Sequence, residues 1–307
     1  MSPRRGTAIA SALLALLAVA GCGLGPGEGL DPVRLTVSHD YGREVVLARE
    51  VDEVTEADTV MRVLERSTEI ATRYSGRFVQ GIEGAAGTSR EGRYFDWLFY
   101  VNGIESTVGA AEFELRGGEA IWWDYRDWTS ALHIPAVVGS FPQPLVGGYE
   151  GRQRPVALVC REGGPACETA RSKLREAGVE LAAGEPKGAI RVLVGPWAQL
   201  RSDPAAALIE GGVEESGVFA EFQPRGAGYE LVALDEGGHE ARELGPDAGL
   251  IAATRRFEAP PVWVVSGGTP GAVAAAAERL DTEALRDHYA VATVGDEELA
   301  LPMPGTG

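Results

Sequence analysis

The feature that most constrains this chain is a change of pattern near Pro155. Before it, apolar residues alternate along strand-length segments. VRLTVSHDYGREVVLAREV alternates about Asp40-Tyr41-Gly42 and predicts a hairpin. In TEADTVMRVLERSTEIA, residues Val60, Val63, Leu64, Ile70 and Ala71 fall at helical spacing, with Thr55 as N-cap and Asp58 three positions on. RFVQGIEG, YFDWLFYVNGIE and EAIWWDYRDW add strands. Residues 32–130 therefore predict an α+β N-terminal domain of the β-grasp type, one helix covering one face of a mixed sheet. After Pro155 come short unbroken apolar runs, each leading into a helix: PVALVC into CETARSKLREAG, IRVLVG into AQLRSDPAAALIEG, PVWVVSG into TPGAVAAAAERL. VFAEF and YELVAL read as an inserted hairpin. Such runs fit a sheet buried on both faces, so residues 155–300 predict a small three-layer α/β domain. The Pro- and Gly-rich passage 131–154 between them reads as a linker and a domain boundary.

The start of the chain carries a targeting signal. Arg4 and Arg5 precede an apolar run from Ala8 to Ala20, which is too short to span a bilayer and has the form of a secretory leader. Val19-Ala20-Gly21-Cys22 resembles the bacterial lipobox. That resemblance implies a leader over 1–21, lipidation of Cys22, and a Gly/Pro-rich tether over 22–31. The expected location is the cell membrane, lipid-anchored on the extracytoplasmic face. The formal charge of -17, from 28 basic and 45 acidic residues, argues against nucleic acid as a partner. It also repels anionic lipid, so the anchor rather than the protein surface makes the membrane contact.

Chemistry-bearing motifs are few. Cys160 and Cys167 in VCREGGPAC are a disulfide pair across a strand-to-helix turn, or two free thiols; the spacing is not C-x-x-C, and no matching His ligands lie nearby for zinc. His39, His133, His239 and His288 show no metal-ligand spacing, and no G-x-S-x-G elbow is present. Ser266 to Gly271 (SGGTPG) is either an anion cradle on a helix N-terminus or a tight turn with Thr269 as N-cap and Pro270 at N1. Acidic pairs such as Glu214-Glu215 and Asp235-Glu236 read as solvated loops. No catalytic residue, metal site or cofactor is assigned, and the chain does not read as an enzyme.

The stretch IWWDYRDW, Ile121 to Trp128, is the densest aromatic segment. Alternation puts Ile121, Trp123 and Tyr125 on one face, which is core-like. Trp122, Asp124, Arg126 and Trp128 share the other. Trp122 and Trp128 are either an exposed platform for an amphipathic ligand or protein partner, or are covered by residues such as Ile134 and Phe141.

The run FDWLFYVNGIESTVGAAEFELRGGEAIWWDYRDW resembles the bacterial transcobalamin C-terminal-like domain, a domain of unknown function. The pattern W-x-x-Y-V-N-G, then V-G-A and an aromatic, then G-D/E-x-I, falls here on Trp97, Tyr100, Val101, Asn102, Gly103, Val108, Gly109, Ala110, Phe113, Gly118, Glu119, Ile121 and Trp123. The resemblance covers about a third of the chain. It implies a β-rich module that closes over a corrinoid, with Trp97, Leu98 and Phe99 as the contact stretch and a helical-toroid carrier or a transporter as partner. This chain has no toroid of its own. The functional expectation is an extracytoplasmic binding component, for a corrinoid or similar cofactor. The alternative is a protein-interaction or envelope-scaffolding lipoprotein with no small-molecule ligand.

Overall fold

Val33, Leu35 and Val37 point one way along the first strand and Thr36 and Ser38 the other, and this alternation organises the first half. The computed structural model describes residues 27–162 and 164–305; the expected leader and Cys22 lie outside them. The chain is mixed α/β and mostly sheet. In its first half, β1 (Val33–His39) and β2 (Glu44–Val51) form the expected hairpin. Helix α1 (Val60–Ser67) follows, then β3 (Ile70–Arg73), β4 (Phe78–Ile82), β5 (Ala85–Ala86), β6 (Thr88–Arg90), β7 (Arg93–Val101), β8 (Ile104–Glu105) and β9 (Ala120–Asp127). The main sheet runs β2-β1-β9-β7-β6, with β9 parallel to β1 and antiparallel to β7. Strands β3, β4 and β5 form a small sheet of their own.

The helix is shorter than its spacing predicts. Thr59, not Thr55, is the N-cap and accepts from the Arg62 N–H, while Ile70 and Ala71 belong to β3. Thr55 is held instead by the Asp58 carboxylate, which accepts from its N–H at 2.8 Å. The buried residues Val60, Val63 and Leu64 pack onto Leu35, Val37, Ile121 and Trp123.

The second half contains β10 (Val156–Cys160), α2 (Pro165–Glu176), β11 (Ile190–Val194), α3 (Trp197–Leu200), a 3-10 turn over Ala206–Gly211 and α4 (Val213–Ser216). Strands β12 (Ala220–Arg225), β13 (Gly228–Leu234) and β14 (Glu240–Gly245) make a three-stranded sheet. Then come β15 (Gly249–Thr254), β16 (Val262–Gly267), α5 (Pro270–Glu278), α6 (Thr282–Leu285), β17 (Ala290–Val294) and β18 (Glu297–Leu301). The large sheet is ordered β10-β11-β16-β15-β17-β18; β10, β11 and β16 are parallel and the rest antiparallel.

Three expectations are corrected by packing. Helices α2 and α5 cover only one face of the large sheet. The opposite face meets the β12–β14 sheet and the short helical pieces between β11 and β12, together with Tyr41, Tyr100 and Trp122 of the first half, so the third layer is not one of long helices. The long helix expected after IRVLVG breaks into short pieces, because Pro204 cannot continue a helix and the Asp203 carboxylate accepts from the Ala205 N–H at 3.0 Å. The passage 131–154 is packed rather than a solvated linker. Ile134, Val137, Val138, Phe141 and Leu145 are buried. Its backbone binds both halves, Val137 N–H donating to Gly103 at 2.9 Å and Val138 N–H to Tyr289 at 3.2 Å. The Pro and Gly that exclude regular elements leave these side chains free to fill the seam.

The Ser266–Gly271 turn takes its capping form, Thr269 accepting from the Ala272 N–H with Pro270 at N1. Cys160 and Cys167 are joined as a disulfide between β10 and α2, Cα atoms 5.9 Å apart. Glu236 is not a solvated loop acid: it pairs with Arg43 and Arg93 across the seam.

Candidate functional site

The aromatic stretch does not form a surface platform. Trp122 is 2 % exposed, and Asp124 and Arg126 are fully buried. Their face of β9 is the one turned toward the second half. Trp122 Nε1 donates to Ser38 Oγ at 2.8 Å, and its ring meets Tyr289 edge-on with centroids 5.1 Å apart. Ser38 Oγ in turn donates to Asp124 at 2.5 Å. Asp124 also accepts from the N–H groups of Tyr41 and Gly42 and from Tyr289 Oη at 3.0 Å. Burial pushes the Asp124 carboxyl above its ordinary range, against these donors and the charge of Arg126. Arg126 donates to the carbonyls of Asp127 and Ala131. This is a buried polar lock between the halves rather than an open site, with Arg126 Nε left without a partner among the described residues. Ile134 shares its core, while Phe141 packs elsewhere, on Trp263.

The other sequence-predicted contacts are scattered. Trp97 is buried and donates to the Ala85 carbonyl at 2.8 Å. Leu98 is half-buried opposite Asp124, and Phe99 stacks on Trp123 with centroids 4.7 Å apart. Trp128 is half-buried against the exposed Tyr94. None of them lines the cavities around Val101 and Phe113.

An open groove lies at the next turn of the chain. Two adjoining cavities, of about 270 and 290 Å³, share Val101, Phe113, Arg116, Glu150 and Gly151. The elements that shape them follow from local sequence. Asn102 and Gly103 both have positive φ, 55° and 74°, the geometry of a type I′ hairpin turn between β7 and β8. The Asn102 amide donates to the Gly148 carbonyl at 2.9 Å and accepts from the Ala120 N–H at 2.8 Å, fixing the groove floor to both β9 and the seam passage. The Gly109–Phe113 turn satisfies first-turn donors of α1: Val60 N–H reaches the Phe113 carbonyl and Met61 N–H the Ala110 carbonyl. The Glu119 carboxylate accepts from the N–H groups of Arg116 and Gly117, both at 2.8 Å, and shapes the far lip.

One wall is apolar, with Val101, Ile104, Phe113 and an exposed Val108. The other is polar. The Arg116 side chain lies against Gly151, whose φ of +66° and missing Cβ make room for it. Arg116 has no carboxylate within 4 Å among the described residues, although Glu114 and Glu150 line the same groove. Glu150 is turned to Arg255 at 2.9 Å. A mixed surface of this kind suits an uncharged ligand with an apolar edge and several hydrogen-bonding groups. Among the described residues no cluster of three or more His, Cys, Asp or Glu could hold a metal.

A comparison with family models bears on this geometry. Residues 57–127 match the family described as Domain of unknown function (DUF4430). The DUF4430 segment thus contains α1, β7, β9, the Asn-Gly turn and most of the groove wall. No curated protein matches the chain. The groove was missed in the sequence because its apolar residues, Val108 and Phe113, stand in a turn without periodicity. The Asn-Gly pair was its one local signal.

Proposed function

We propose that this chain is an extracytoplasmic, lipid-anchored binding protein that holds a corrinoid or similar amide-rimmed cofactor by one edge. In this reading the DUF4430 segment is a β-grasp module of the transcobalamin C-terminal kind, with the anchor at Cys22. The carrying observation is positional. Of the residues that bear the resemblance, Val101, Asn102, Val108, Phe113, Gly118 and Glu119 line the groove. The groove, and not Trp97 to Phe99, is then the contact surface. Its apolar wall takes the edge of the macrocycle, Arg116 donates to peripheral amide carbonyls, and Glu114 accepts from amide N–H groups. Cavities of this size enclose only part of such a ligand, which is why a partner carrier or transporter completes the site. The Cys160–Cys167 disulfide supports an oxidising compartment.

Calorimetric titration with cobinamide and cobalamin tests the reading. Binding should weaken about tenfold or more in Phe113→Ala, which removes the central apolar contact, and stay unchanged in Trp128→Ala. Absence of heat from both ligands overturns it. The protein-interaction reading would then lead, on the surface pair Tyr94 and Trp128, an aromatic arrangement suited to a protein hot spot.

A further inference from the structure

The groove is one opening; the seam between the halves holds another of different chemistry. A recess of about 390 Å³ lies between Arg34, Thr36 and Glu50 of the first sheet and Arg286 and Asp287, which follow α6; Arg49 of the edge strand also lines it. Because Val33, Leu35 and Val37 fill the core beneath α1, strand alternation turns Arg34 and Thr36 toward the second half. Among the described residues neither Arg34 nor Arg286 has a carboxylate within 4 Å. Arg43, Arg191 and Arg255, by contrast, are each paired with a carboxylate. Glu50 is the cross-strand neighbour of Arg34, and Asp287 acts on Arg34 through its field, but both stand beyond ion-pair distance.

Arg34 is also half-buried. Burial lowers its guanidinium pKa, Asp287 partly offsets this, and the like charge of Arg286 adds to the lowering. Arg34, withdrawn from water, and Arg286 line one recess with no carboxylate within 4 Å of either among the described residues, and guanidiniums so placed suit a carboxylate or phosphate group. Buried Thr36 adds a hydroxyl donor on the same face.

We infer that this recess binds an oxyanion, one phosphate or carboxylate group gripped between Arg34 and Arg286. Glu50 and Asp287 in the wall repel further negative charge, so the ligand carries a single anionic group on a neutral, hydrogen-bonding body. Because the site draws one arginine from each half, occupancy ties the halves together and raises thermal stability by mass action.

The test is a thermal-melt titration of the full chain with orthophosphate, glycerol phosphate and acetate at constant ionic strength in chloride. The three probes separate free phosphate, phosphate ester and carboxylate. At least one should raise the midpoint saturably. Arg34→Gln and Arg286→Gln should each weaken the apparent affinity roughly tenfold or more, while Arg225→Gln, on the distant β12 hairpin, should not. Arg286 is exposed, so its variant remains informative if Arg34→Gln fails to fold. No saturable rise with any probe, or an unchanged rise in both variants, overturns the site.

Discussion

If Trp122 is a core residue of the seam, Trp122→Ala should be among the most destabilising single changes in the chain. Removing a fully buried Trp side chain costs about 3–5 kcal/mol in transfer and cavity terms. Loss of the Nε1–H bond to Ser38 adds about 1 kcal/mol. The space cannot close easily: Cβ atoms placed at Gly42 and Gly139 would lie 2.9 and 2.8 Å from the ring, so backbone already abuts it on two sides. A total of about 4–6 kcal/mol corresponds to a fall in melting temperature of roughly 7–10 °C for a cooperative unit of this size. Trp128→Ala, at a half-buried surface position, should cost about 1 kcal/mol or less. Urea unfolding of both variants, followed by far-UV circular dichroism, gives the comparison. A cost near 1 kcal/mol for Trp122→Ala, or equal costs for the two, would refute the assignment of that face to the core.

Other consequences follow from single residues. Asp203 is buried; burial raises its carboxyl, but the Arg191 pair and the Ala205 and Ala206 N–H groups outweigh this and hold it below the usual range. A depressed folded pKa contributes stability above the unfolded value near 3.9, lost as pH falls through the folded one. Asp203→Asn should therefore cost about 1–3 kcal/mol at pH 7 and progressively less as pH falls from the unfolded value through the folded one, read from urea midpoints across pH. Replacing Cys160 and Cys167 together by Ser opens a short loop and should cost about 2–3 kcal/mol by loss of chain constraint, with reductant then having no further effect on the melt. Gly103→Ala places a Cβ 2.8 Å from the Val137 carbonyl at a φ of +74°; a loss of about 1–3 kcal/mol is expected in thermal melts, and Asn102→Ala should additionally loosen the groove floor.

The first half was largely legible because its signals are local. The β1–β2 hairpin, the core face Ile121-Trp123-Tyr125 and the helix over the sheet all follow from periodicity. The seam was not legible. Alternation separated Trp122, Asp124 and Arg126 from the core face correctly, but sequence alone could not say whether that face met water or another domain. Charged residues normally signal exposure, and here Asp124 is satisfied by donors as distant in sequence as Tyr289, while Arg126 donates to the Asp127 and Ala131 carbonyls. The Pro-rich passage misled for a related reason. Absence of regular structure marks a lack of repeating hydrogen bonds, not a lack of burial, and Ile134 and Phe141 are core residues. In the second half β14, β15, β17 and β18 were missed. Their runs sit among Gly-rich turns, and β15, β17 and β18 pair antiparallel on a sheet that begins parallel.

The central claim, that the ligand is held in the groove of the DUF4430 segment, is tested most directly by amide hydrogen exchange of the protein with and without saturating cobinamide. The account predicts added protection over residues 101–118 and 147–153, which enclose the groove. Protection confined to 94–99 and 122–128, or none anywhere, would contradict it.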